Sequence, residues 1–372
     1  MRLHRRSWIK QIGMGIAGIG LSPISLQAAE SLQETKNAFI QTGDPNQPII
    51  LRSNENPYGP SPLARKAFSD NLTQSNRYHW EIASALISDL ADRQNVKYEN
   101  ILLGAGSTEI LDLVSKFAAA RPGGYVIADP SYGYWTSTLD HLGMKKIKVP
   151  LDAGKSIDLK AMTAAIDTTT RLVYICNPNN PTGTLLKREA LVDFVTSVPA
   201  TTTVVVDEAY LEYTVEHSLA DLVSNHANLV IAKTFSKIYG LAGARIGYAI
   251  AHKEMIQQLS GLQSNTNNST SLLSKVAAIA SLKDHQFVSD CQALNEKARS
   301  YTAIELQKLN CRCIPSHTNF MYFSLAGYPK DFFQLLKDND IQGTAIYEEQ
   351  GKWTRITIGT LKEMQQFIGA LK

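Results

Sequence analysis

The chain has 372 residues, 44% of them apolar and 19% charged, enough to bury a large core spread over about two domains. Its net charge of +3 is concentrated at one end. Arg2, Arg5, Arg6 and Lys10 fall in the first 29 residues, which hold no acidic residue, and the remainder carries 33 basic against 34 acidic residues. A nearly neutral body gives no electrostatic reason to bind nucleic acid or an anionic membrane, so a small-molecule partner is expected.

Residues 1–29 have the layout of an export signal. Arg5-Arg6-Ser7-Trp8-Ile9-Lys10 precedes a Gly-rich apolar stretch from Gln11 to Leu26, and small residues follow at Ala28 and Ala29. The paired arginines and weakly hydrophobic core resemble a twin-arginine signal, with cleavage expected after Ala28 or Ala29 and a periplasmic product. The alternative is an attached amino-terminal helix acting as an anchor, or a cytoplasmic protein. No other segment approaches the roughly 18 to 20 apolar residues of a spanning helix, so the mature protein is expected to be soluble. Residues 30–65, rich in Asn, Pro and polar side chains from Glu30 to Pro62, read as an extended arm.

From residue 66 to about 265 short Val/Ile/Leu runs alternate with helical periodicity, the pattern of an α/β domain with a mostly parallel sheet. The runs Tyr125–Ala128, Arg171–Cys176, Thr203–Val206, Leu229–Ala232 and Ile246–Ile250 are nearly continuous in apolar residues, as in strands covered on both faces. The chemistry-bearing residues cluster just beyond such runs. Leu103-Gly104-Ala105-Gly106-Ser107-Thr108-Glu109 leads from a short strand into a helix expected from Glu109 to Ala120. Gly106, Ser107 and Thr108 there form a candidate phosphate cup, because small residues let backbone N–H groups approach an anion at a helix start. The spacing is a poor match to a dinucleotide fingerprint. In Asp129-Pro130-Ser131-Tyr132, Tyr132 can stack on a flat ligand or simply pack the loop.

Asn177-Pro178-Asn179-Asn180-Pro181-Thr182-Gly183 is a turn by composition, and its position also offers the Asn180 amide to a ligand. In Asp207-Glu208-Ala209-Tyr210, Asp207 leaves a strand end where it can serve as a cap or hold a ring nitrogen protonated, and Tyr210 can pack or donate to a phenolic oxygen. Lys237 follows another buried strand, between the hydroxyls of Thr234 and Ser236 and the turn Tyr239-Gly240-Leu241-Ala242-Gly243. A lysine at a strand's carboxyl end can attack an aldehyde, and Arg245, eight residues on, can return toward the same place to take a phosphate. Each residue alone has a bland reading as a loop lysine, a cap or a packed ring. Their arrival together at neighbouring strand ends favours the chemical one.

Residues 266–372 change character: a long helical stretch from Leu272 to Leu309, then strands at Phe320–Leu325 and Arg355–Ile358, expected to form a smaller α+β domain. Cys176, Cys291, Cys311 and Cys313 lack the spacing of a zinc or redox site and are too few for a disulfide scaffold, so no metal is expected.

Asn180-Pro181-Thr182-Gly183, Asp207-x-x-Tyr210, Ser236-Lys237 and Arg245, in this order, resemble the fold-type I pyridoxal-phosphate aminotransferases of class I/II. Asn54-Glu55-Asn56-Pro57-Tyr58-Gly59-Pro60 and Tyr239-Gly240-Leu241-Ala242-Gly243 are similar to the histidinol-phosphate aminotransferase branch. The resemblance implies pyridoxal 5'-phosphate held by Lys237 as a Schiff base, and transfer of an amino group from an amino donor to a 2-oxo acid. It implies a homodimer in which Tyr78 reaches the neighbouring subunit's cofactor, although His79-Trp80 replaces the usual sequel. Arg355 is implied to clamp the substrate carboxylate, with Asn56 and Tyr347 also at the substrate. Tyr347 stands where the branch usually has an arginine for the substrate phosphate, and Glu348 and Glu349 follow it, which is expected to weaken dianion binding. A decarboxylase of the same fold, resembling the threonine-phosphate decarboxylases, is the closest competing reading. A non-catalytic binding protein is the more distant one.

Overall fold

The structure, a computed structural model, describes residues 47–372. The segment read as a signal and residues 30–46 of the arm lie outside the described residues. Among the described residues no helix is long and apolar enough to cross a membrane.

A seven-stranded sheet organises the larger part of the fold. Its strands are β2 (Ile101–Gly104), β3 (Gly124–Asp129), β4 (Lys145–Pro150), β5 (Thr170–Cys176), β6 (Thr203–Asp207), β7 (Leu229–Thr234) and β8 (Gly247–Ala251), in the order β2-β8-β7-β6-β5-β3-β4. The neighbours from β7 to β4 are parallel, and β8 alone runs against its neighbours β2 and β7. The continuous apolar runs are explained by burial on both faces: β6 and β7 are buried along their whole length. One face carries Tyr125, Leu172, Tyr174, Val205 and Val230, packed under the helical residues Ile110, Val114 and Leu259 and under Trp135 from a turn.

Helices α1 (Pro62–Asn71), α2 (Trp80–Gln94) and α3 (Ser107–Ala119) precede β3. The arm ends earlier than expected, because Ser61 caps α1 by accepting the Ala64 N–H at 3.1 Å and Pro62 stands at the first helical position. Short helices α4 (Thr136–His141), α5 (Leu159–Ala164) and α6 (Arg188–Ser197) connect the parallel strands, and α7 (Lys253–Gly261) follows β8.

The expected long helix is two helices, α8 (Leu272–Lys283) and α9 (His285–Lys308). Asp284 leaves helical geometry at φ −94°, ψ 65° and caps α9 by accepting the Phe287 N–H. α8 packs on α1 and α2, whereas α9 packs on the smaller sheet, so the packing changes hands at Asp284 rather than near residue 265. That sheet comprises β9 (Arg312–Cys313), β10 (Phe320–Ser324), β12 (Ile346–Glu348) and β13 (Trp353–Thr357), all antiparallel. α10 (Phe332–Asp338) and α11 (Leu361–Leu371) close its core through Phe332, Leu336, Phe367 and Ile368. Thr360 and Glu363 form a capping box at the start of α11. The arm joins this half: β1 (Ile49–Ile50) pairs in parallel with β11 (Ile341–Gln342), and the Asn54 N–H donates to Thr357 Oγ1 at 2.9 Å.

Candidate active site

The carboxyl ends of β2, β5, β6 and β7 open onto a cleft of about 400 Å³. Because β8 is antiparallel, it is its beginning that lies at this edge. Gly247 pairs with Gly104 on one side and Thr234 on the other, and Arg245, two residues earlier, is thereby delivered beside the start of α3. Arg245 adopts left-handed φ (+54°) and donates to Ser236 Oγ at 3.3 Å and to the Ala105 carbonyl at 3.3 Å. Gly106 has φ +81°, and a Cβ there would collide with the Arg245 guanidinium. Ser107 and Thr108 line the cleft at the first turn of α3, whose N-cap offers no side-chain acceptor. Backbone donors, a guanidinium and the Ser236 hydroxyl thus converge on a space shaped for a phosphate. The turn is braced from behind, since Glu109 accepts from the Ala105 N–H (2.5 Å), Ser269 Oγ (2.6 Å) and Gln263 Nε2 (3.0 Å).

Asp207 ends β6 almost without solvent exposure. Tyr174 donates its hydroxyl to Oδ2 at 2.8 Å and the Ala209 N–H donates to Oδ1 at 3.1 Å. Burial pushes the carboxyl up to about 6, against the opposing pull of these donors and of the Lys237 ammonium. Tyr132 lines the same cleft, and burial followed by the nearby Asp207 charge raises its phenol. Lys237 places Nζ 3.2 Å from the Ser53 carbonyl and 5.5 Å from the Tyr210 ring centroid. Burial, reinforced by the Arg355 charge, lowers its ammonium to about 8. A free amine is therefore within reach of neutral pH, as a nucleophile toward an aldehyde requires.

Tyr210, Asn180 and Arg355 form one connected wall. The Tyr210 hydroxyl accepts Asn54 Nδ2 at 3.0 Å and Asn180 Nδ2 at 3.3 Å. Arg355 donates to Asn180 Oδ1 and to the Arg52 carbonyl, and its buried Nε has no hydrogen-bond partner among the described residues. An arginine that is fixed in place but still has donor capacity facing a cleft suits a carboxylate. Thr234 Oγ1 donates to Ser236 Oγ at 2.9 Å and completes the floor.

The structure brings Ser107, Thr108, Tyr132, Asn180, Asp207, Tyr210, Thr234, Ser236, Lys237, Arg245 and Arg355 to this one cleft, with Gly106 behind it. Three sequence-based candidates lie elsewhere. Asn56 does not line the cleft: Nδ2 donates to the Ile238 carbonyl (2.7 Å) and Cys291 Sγ (3.3 Å), and Oδ1 accepts the Tyr58 N–H, so the amide holds the arm. Its neighbour Asn54 faces the cleft instead. Tyr347 does not line the cleft; its ring centroid stands 5.4 Å from the Arg355 guanidinium carbon, and Tyr134 lines the cleft instead. Tyr78 is 81% exposed and stacks on Trp80. Glu348 does not project free negative charge, because Lys155 Nζ (2.7 Å) and the Tyr322 hydroxyl (2.6 Å) take its carboxylate. Sequence reasoning missed Arg52, Ser53, Asn54 and Glu55 as lining residues, along with Tyr134 and Thr344. The only signal for the first four was the Asn-rich motif of the arm, which Asn54 and Glu55 open and Arg52 and Ser53 precede. Among the described residues no group of three or more His, Cys, Asp or Glu side chains could hold a metal ion.

The profile of the family described as Aminotransferase class I and II matches residues 46–371, and the chain belongs to that family. It is a pyridoxal-phosphate-dependent aminotransferase, similar to the histidinol-phosphate aminotransferases. The enzyme of that name from Moorella thermoacetica is 38% identical over 87% of this chain and 84% of its own. That from Brevibacillus brevis is 36% identical over 93% and 94%. The crystal structure of histidinol-phosphate aminotransferase from Sinorhizobium meliloti in complex with pyridoxal-5'-phosphate shares the fold at a TM-score of 0.80, with 24% identity over 95% of this chain and 94% of that one.

Proposed function

We propose that the cleft binds pyridoxal phosphate with its phosphate on Gly106, Ser107, Thr108, Ser236 and Arg245, its ring nitrogen on Asp207, and its aldehyde carbon on Lys237. The observation that carries this reading is the meeting of an anion cradle, a buried carboxylate and a lysine of lowered pKa at three neighbouring strand ends. When bound, the cofactor supplies a protonated ring that takes up the charge left when a bond to the substrate α-carbon breaks. Arg355 holds the substrate carboxylate, or its equivalent, through paired hydrogen bonds, and so turns the α-C–H toward Lys237. Lys237 would hold the cofactor through its amine and, once that amine is free again, would serve as the base and acid that moves the proton of the substrate α-carbon. Asn180 and Tyr210 would donate to the cofactor's phenolic oxygen, and Tyr132 would supply a ring for it to stack on. Lys237→Ala must abolish both the absorbance band of lysine-bound cofactor, as distinct from that of the free aldehyde, and amino transfer; retention of either overturns the assignment.

The donor is an amine bearing a flat ring, histidinol phosphate or an aromatic amino acid, because Tyr134 lines the cleft beside Tyr132 and gives it an aromatic edge. The acceptor is a 2-oxo acid. Comparing kcat/KM for ring-bearing and aliphatic donors tests this: equal values sink it. Carbon dioxide release without a keto product would favour the decarboxylase reading. The exposed Tyr78 serves the cofactor phosphate of a second subunit in a homodimer, testable by sedimentation and by cofactor affinity in Tyr78→Phe. Residues 1–29 direct twin-arginine export to the periplasm. Amino-terminal sequencing of the periplasmic fraction checks this, and a cytoplasmic product retaining Met1 refutes it.

A further inference from the structure

Asp207 is held by a residue to which the preceding assignment gives no task. Tyr174 lies on β5, two residues before Cys176, which is in register with Asp207 on β6. The two-residue period of a strand therefore puts Tyr174 and Cys176 on one face. Tyr174 is wholly buried, its ring 4.8 Å from that of Trp135, and its hydroxyl donates to Asp207 Oδ2 at 2.8 Å. A phenylalanine would make the same ring contacts without taking a hydroxyl out of water, a step that is costly unless the hydroxyl is bonded. The hydroxyl is thus not required for packing. Its role is directed at the carboxylate.

We infer that Tyr174 is a positioning residue for the cofactor: its O–H fixes the rotation of the Asp207 carboxylate and holds it anionic, leaving lone pairs free for the ring nitrogen. This rests on the assignment of Asp207 to that nitrogen. The groups facing Asp207 are Tyr174 and Cys176 from β5, Tyr132 from the loop after β3, Glu208 beside it and Tyr210 three residues on in the chain, and Lys237 beyond β7. Of these, Lys237 supplies the positive charge, and that charge is altered once its amine holds the cofactor. The donors from Tyr174 and from the Ala209 N–H do not depend on that step. They keep Asp207 ionised throughout the reaction, opposing the burial that raises it.

The test is a double-mutant cycle in the full-length protein, with Tyr174→Phe and Asp207→Asn separately and together. Two quantities are read: the dissociation constant for pyridoxal phosphate at neutral pH, and the pH at which the Asp207 carboxyl ionises in the apoprotein by difference infrared spectroscopy. Tyr174→Phe is expected to weaken cofactor binding about tenfold and move the ionisation up by about one to two pH units, as loss of a hydrogen bond to a charged group does. In the Asp207→Asn background the same change should leave binding nearly unaltered. Equal loss in both backgrounds, or no loss in either, overturns the inference. Fluorotyrosine at position 174 keeps the ring and strengthens the donor, so the ionisation should move down; an upward shift or none also overturns it. A wild-type chain that binds no cofactor would instead refute the assignment of the cleft itself.

Discussion

The most exposed consequence of this site is that Asp207 destabilises the protein that carries it. Its carboxyl stands at about 6 in the folded apoprotein against an ordinary value of 3.8, chiefly because of burial. At about 1.4 kcal/mol per unit, that displacement is worth on the order of 3 kcal/mol. Between the two values the folded chain binds a proton that the unfolded chain has released, so stability falls as pH rises from about 4 to about 6 and stays low above it. Asp207→Asn removes the charge while keeping the size and an acceptor for Tyr174. It forfeits one acceptor of its hydrogen-bond pair, which costs about 1 kcal/mol. The apoprotein variant should therefore be about 2 kcal/mol more stable than wild type at pH 7, and this advantage should disappear at or below pH 4. Urea unfolding of both apoproteins across that range measures it, as a shift in midpoint at constant slope. A difference that stays flat from pH 4 to pH 8, or a variant less stable at pH 7, refutes the reasoning. The same variant should bind the cofactor less tightly, which separates a functional cost from a folding defect.

Four further outcomes are expected. The rate at which apoprotein captures pyridoxal phosphate should rise with pH through about 8, because the Lys237 ammonium titrates there; a midpoint near 10.5 would show that burial does not lower it. Gly106→Ala, which forces a Cβ toward Arg245 at a positive φ, should weaken cofactor binding roughly 10- to 100-fold, in line with about 1–3 kcal/mol of strain, as read by fluorescence titration. Arg355→Lys replaces a paired donor by a point charge and should raise KM for the amino donor by about tenfold or more; an unchanged KM would move the carboxylate elsewhere. Thr360→Ala, which opens the capping box of α11, should lower thermal stability by about 1 kcal/mol while leaving amino transfer untouched.

The corners of the cleft were legible because each followed a run apolar enough to be a strand buried on both faces. A residue just past such a run has one place to go, the carboxyl edge of the sheet. Direction was not legible: Ile246 to Ile250 reads as apolar whichever way it runs, and only hydrogen bonding to β2 and β7 makes β8 antiparallel. The arm misled for a related reason. Asn54 and Asn56 are two residues apart in an irregular segment without periodicity, so nothing in the sequence says which amide meets the cleft and which meets the Ile238 carbonyl. Glu348 looked like a free charge because its partner Lys155 is 193 residues away. Asp284, which divides the long helical stretch, is an ordinary polar residue in sequence and becomes a cap only through its backbone angles.

The reversed strand β8 has a consequence for how such an enzyme can vary. Gly247 is locked between β2 and β7 by ladder bonds on both sides, and a side chain there would strike the Ser107 N–H and the Lys233 carbonyl. The distance from Arg245 to the start of α3 is therefore gauged by the pitch of the sheet and not by any flexible loop. The substrate wall, by contrast, is assembled from the arm at 52–55 and from β13 of the smaller sheet. Change can accumulate in that wall without disturbing the gauge, so a lineage is free to exchange one amino donor for another while the anchor for its cofactor stays in place.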